Sequence, residues 1–139
     1  MKLYPALECP AAIPLPLFGD RVAAGFPSPA ADYVENRIDL NDICVRHPAS
    51  TYFVRATGES MIEGNIHEGD ILVVDCSLKP RHHDIVIASV DGAFTVKRLQ
   101  LHPLMQLLPM NPAYAPIALA DNDQVEVFGV VTFIIYAAR

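Results

Sequence analysis

A serine and a lysine carry the chemistry this sequence can offer. Ser60 stands in the stretch RATGESMIEG, Arg55 to Gly64, between a short apolar run and an acidic turn. A serine hydroxyl attacks a carbonyl only when a base takes its proton. Histidine is the usual base, but His47, His67, His82, His83 and His102 all fall at expected turns or strand ends, beside polar residues or prolines. No G-x-S-x-G elbow surrounds Ser60, which argues against a hydrolase triad. The other option is a neutral lysine. Lys97 in GAFTVKRLQL sits inside a strand pattern, and a two-residue period puts it on one face with Thr95, Leu99 and Leu101. Burial on that face would lower its pKa by denying the ammonium its water. Each residue also has an ordinary role. Ser60-Met61-Ile62-Glu63 fits the S-x-x-E capping box of a helix start, and a strand lysine commonly extends its ammonium to solvent.

The elements that must position these residues are mostly strands. Six of the twelve prolines fall at or before Pro29, which rules out a long helix there and interrupts sheet pairing. Residues 1–39 therefore read as an extended N-terminal arm and residues 40–139 as a β-rich domain. Asp39 is placed to cap a short helix over Leu40 to Val45, which Pro48 ends. From Thr51 onward the pattern is β: TYFVRA, DILVVD (Asp70 to Asp75), DIVIASV (Asp84 to Val90), AFTVKRL (Ala93 to Leu99), LMQLLPM and VEVFGVVTFIIYAA. The Asp91-Gly92 connection predicts a tight hairpin. With no βαβ alternation, the expected fold is mainly β, a mostly antiparallel, partly closed sheet with little helix.

Composition excludes several functions. The chain has 139 residues and a formal charge of −6, so a direct grip on a phosphate backbone is not expected. The nearest thing to a basic patch, Arg81-His82-His83, runs straight into Asp84. Cys9, Cys44 and Cys76 are odd in number and lack CxxC spacing, as in a cytosolic protein with reduced thiols. His82 and His83 would point to opposite faces of a strand, so no metal site is expected. Pro10, Pro14 and Pro16 break the apolar run a signal peptide needs, and no stretch reaches a membrane-spanning length of about 20 residues. A leader peptidase acting on other chains is disfavoured by the lack of an anchor. A repressor is disfavoured by the lack of a helix-turn-helix ahead of the β region.

Taken together, the segments FPSPAADYVENRIDLN (Phe26 to Asn41), GESMIEG (Gly58 to Gly64), GDILVVD (Gly69 to Asp75), DIVIASVDGAFTVKRLQL (Asp84 to Leu101) and VFGVV (Val127 to Val131) resemble the UmuD family. These are accessory subunits of an error-prone DNA polymerase in the bacterial SOS response, within the LexA-like self-cleaving serine peptidases. The resemblance covers nearly the whole chain apart from the first dozen residues. It implies a LexA/signal-peptidase-like fold, Ser60 as nucleophile, Lys97 as general base and self-cleavage between Ala24 and Gly25. It also implies a homodimer, activation by a RecA filament on single-stranded DNA, and a shortened form that serves a UmuC-like polymerase catalytic subunit in the cytoplasm. No cofactor is implied. Well-known relatives carry cysteine or alanine before the scissile glycine, and this chain has Ala23-Ala24-Gly25. The competing expectation is a non-catalytic polymerase-binding module in which Ser60 only caps a helix.

Overall fold

The computed structural model describes residues 3–6, 11–18, 34–119 and 124–139. Short N-terminal strands β1 (Leu3–Pro5), β2 (Leu15–Phe18) and β3 (Val34–Ile38) lead into helix α1 (Leu40–Cys44). Strands β4 (Thr51–Arg55), β5 (Ile71–Asp75), β6 (Ile85–Val90), β7 (Ala93–Gln100), β8 (Gln106–Leu108), β9 (Ile117–Ala118) and β10 (Val125–Ile135) follow. Eight of them form one sheet in the order β1-β4-β5-β10-β6-β7-β8-β9, every neighbouring pair antiparallel. The sheet is thus antiparallel throughout, little helix accompanies it, and it does not close: β1 and β9 are its two ends. Strands β2 and β3 pair separately.

Local chemistry accounts for the joints. Asp39 caps α1, its Oδ1 accepting the N–H of Asn41 at 2.9 Å. Between β6 and β7, Asp91 and Gly92 both have positive φ, 51° and 81°. That is the pair of conformations a two-residue turn needs to match strand twist, and Asp-Gly supplies it at low cost. Alternation along β6 divides the core. Ile87 packs with Val54, Leu72, Val74, Val96, Met61 and Ile66, while Val86 and Ala88 pack with Leu99, Leu107 and Val130.

Two expectations are corrected. The early prolines do not keep the arm out of sheet pairing: Pro5 and Pro16 lie within β1 and β2. Both strands are edges, where a missing N–H can face outward and breaks no ladder. His82 and His83 occupy the turn before β6, not a strand, and their ring centroids lie 3.8 Å apart with the planes tilted by 30°. Among the described residues no helix is long and apolar enough to cross a membrane.

Candidate active site

The turn that carries Ser60 follows β4, and the strand that carries Lys97 is the centre of β7. Ser60 Oγ and Lys97 Nζ are 3.1 Å apart. Lys97 is only 7% exposed, and among the described residues its ammonium hydrogen-bonds to neutral oxygens alone: Ser60 Oγ, Thr95 Oγ1 at 2.9 Å and the Val96 carbonyl at 3.0 Å. No carboxylate lies within ion-pair reach of it among the described residues. Burial therefore pushes the Lys97 pKa down, with no anion to pull it back. The amine that snorkelling would have placed in water is instead held dry against an alcohol.

The serine is not a helix cap. The turn of helix nearest it is a 3₁₀ segment, Ile62–Gly64, whose cap position is Met61 and which receives no side-chain capping bond. A 3₁₀ turn this short leaves fewer amides to satisfy, so the capping-box pattern finds no helix to serve. Ser60 is fixed instead from across the molecule. Its carbonyl accepts the N–H of Met110 at 2.7 Å, the Met110 carbonyl accepts the N–H of Glu63 at 2.8 Å, and Asn111 Nδ2 donates to the Glu59 carbonyl at 2.9 Å. Gly64 completes the clamp, because a Cβ there would meet Met110 Sδ at 2.6 Å. The Met110–Asn111 contribution was not foreseeable, since the proline-rich loop after β8 shows no pattern that aims it at Ser60.

Among the described residues the backbone N–H groups of Gly58, Glu59, Ser60 and Met61 donate to no protein acceptor. Three of these residues, Gly58, Ser60 and Met61, line a small chamber of about 80 Å³ together with Ala56, Thr57, Ile66 and Thr95 among others. Such a site can hold a small side chain beside a hydroxyl, with free amides ready for a developing oxyanion. None of the five histidines bonds to Ser60. His47 pairs elsewhere, its Nδ1 2.6 Å from Asp75 Oδ2. Cys44 and Cys76 are free thiols, and Cys9 lies outside the described residues. So do Ala24 and Gly25, whose relation to Ser60 is accordingly not part of this geometry.

Comparison with known proteins places the chain in a family. The sequence profile described as Peptidase S24-like matches residues 16–132. Protein SamA of Salmonella typhimurium is 56% identical over 124 residues, which is 89% of this chain and 86% of SamA. Protein MucA of Escherichia coli is 49% identical over 119 residues, covering 85% of this chain and 82% of MucA. A LexA repressor from Bordetella avium is 40% identical over 122 residues, 87% of this chain but only 56% of the repressor. With a profile match across most of its length and relatives this near, the chain belongs to the Peptidase S24-like family, among its UmuD-like members.

Proposed function

We infer that this chain is a self-cleaving serine peptidase that cuts its own Ala24–Gly25 bond through a Ser60–Lys97 dyad. The observation that carries the reading is a buried lysine amine 3.1 Å from a serine hydroxyl, with no carboxylate among the described residues to hold its proton. In the neutral state the amine accepts the hydrogen bond and the Ser60 O–H donates it. Ser60 Oγ then bonds to the Ala24 carbonyl carbon while the proton passes to Lys97 Nζ. The oxyanion falls to the free amides of the Ser60 turn, each such donor typically supplying about 3 kcal/mol. As the C–N bond breaks, Lys97 returns the proton to the Gly25 nitrogen. Water, deprotonated by the same amine, releases the acyl-serine and regenerates the dyad.

Residues 1–39 act as the arm that delivers the bond and residues 40–139 as the catalytic body. An alanine before the bond suits a chamber of about 80 Å³. Tethering makes the attack effectively unimolecular. A partner that stabilises the cleavage-competent arm raises the rate by population shift, a role we assign to a RecA filament on single-stranded DNA. The shortened chain then serves, as a homodimer, a UmuC-like error-prone polymerase in SOS mutagenesis.

The test is incubation of the purified chain at mildly alkaline pH, with and without RecA, ATP and single-stranded DNA, followed by mass spectrometry. A product beginning at Gly25 is expected, and it disappears in both Ser60→Ala and Lys97→Ala. A full-length chain that stays intact under all conditions, or a product still formed by both variants, overturns the reading.

A further inference from the structure

The strands upstream of residue 24 are not loose. β1 lies on the edge of the main sheet, with Leu3, Tyr4 and Pro5 opposite Val54, Phe53 and Tyr52. The Ala6 N–H donates to the Thr51 carbonyl at 3.0 Å, and on the opposite side of β4 the Ala56 N–H donates to Asp70 at 2.8 Å. Strand alternation then turns the Phe53 amide toward β1 and the Pro5 nitrogen away from β4. Leu3 packs against the core, and Tyr4 walls a groove of about 480 Å³ with Phe53, Val54, Arg55, Ile71 and Ile135. A second hold lies further along. β2 pairs with β3 from Leu15↔Ile38 to Phe18↔Val34, the Ile13 N–H donates to Asp39 Oδ2 at 3.1 Å, and Arg37 Nη2 donates to the Pro14 carbonyl at 3.3 Å.

Both holds join residues before the Ala24–Gly25 bond to residues after it. A cut there breaks the covalent link but neither strand pairing. The connection between the two holds keeps each at high effective concentration for the other, so the severed segment dissociates only when both open together.

We propose that residues 1–24 are a two-point strand ligand of the body, which remains seated after scission and keeps the β4 edge paired, with Tyr4 as one wall of the groove, until it dissociates. The inference rests on the cleavage position proposed above. Scission and exposure of the edge are then separate steps, the second set by strand dissociation. A partner that docks on β4 must supply an extended segment with an apolar or aromatic residue in place of Tyr4.

The test does not depend on self-cleavage. A Ser60→Ala full-length chain with a recognition sequence for an added endopeptidase between Ala24 and Gly25 is nicked to completion, as read by denaturing mass spectrometry. Native gel filtration and native mass spectrometry then show whether the fragment stays. Co-elution is expected, with the Phe53 amide still protected in hydrogen exchange. Tyr4→Pro, which removes the N–H facing Phe53, should speed fragment loss about tenfold or more in the nicked protein by ending the two-point hold. The unnicked variant, still tethered, should keep its β4–β5 protection, which controls for misfolding. Immediate separation of the fragment at micromolar concentration overturns the proposal, as does a Phe53 amide whose exchange is the same before nicking and after complete fragment removal.

Discussion

Two charged side chains are buried in this sheet, and their surroundings are opposites. Asp75, at the end of β5, is 4% exposed, and Lys97, in β7, is 7% exposed. Burial by itself would raise the Asp75 pKa, but the Ser77 hydroxyl at 2.6 Å, His47 at 2.6 Å and the Ser77 N–H at 2.9 Å outweigh it. The carboxyl is held below its ordinary value and stays charged. Lys97 has three neutral oxygens and, among the described residues, no counter-charge, so burial goes unopposed and the proton is loosened. Equal burial thus gives a charge held in place at one site and a charge disfavoured at the other. What separates them is whether the neighbours complement the charge.

The comparison breaks hardest at the dyad. Ser60→Ala and Lys97→Ala should each lower self-cleavage by ~1,000-fold or more, measured as product appearing at Gly25 per hour. Neither should unfold the protein, since Ser60 caps nothing and Lys97 anchors no ion pair among the described residues. Asp75→Ala should do the reverse. It strips His47 and Ser77 of their acceptor and should cost about 3 kcal/mol in denaturant melts. Cleavage below the melting range should hardly change. A large loss of cleavage in a folded Asp75→Ala chain would erase the distinction drawn here.

Why Lys97 was legible and Asp75 was not follows from the same contrast. A lysine within AFTVKRL violates the strand's apolar pattern, and that conflict is visible in one dimension. Asp75 ends DILVVD beside Cys76-Ser77, where an aspartate is ordinary turn chemistry. Its partner His47 lies in a different segment, and only the fold brings them together. The strands from Thr51 to Ile135 were legible because β-branched runs alternate with turn residues, most clearly at Asp91-Gly92. β1–β3 were not, because proline content argues against strands unless edge placement is known in advance. The two residues of β9 carry too little pattern to read.

Titration should sharpen the contrast through opposite limbs. The Lys97 pKa is lower folded than unfolded, so between that lowered value and the ordinary lysine value the unfolded chain binds the extra proton. Lys97 should therefore make stability rise with pH across that window, and Lys97→Met should flatten the rise and be more stable at neutral pH. Asp75 has its pKa lowered on folding, so its contribution is present above the ordinary aspartate value. That contribution is lost as pH falls through the folded one. Chemical melts at stepped pH on both variants would separate the limbs. Cleavage rate should climb with pH and level off once Lys97 is neutral. A flat rate profile would remove Lys97 as the base.

The smallest effects come from single hydroxyls beside each charge, and their signs are the most demanding check. Ser77→Ala takes a donor from Asp75, which should raise that pKa and move the acid limb of stability to higher pH. Thr95→Val takes an acceptor from Lys97, which should lower that pKa further and shift the rate profile toward acid. At alkaline pH the amine is neutral in both proteins, and the variant should be slower by about threefold, because one oxygen that positions Nζ is gone. At lower pH the variant holds more neutral amine, so the two profiles should converge. A Thr95→Val profile that is lower by the same factor at every pH would mean that Thr95 only fills space, and that burial alone sets the proton on Lys97.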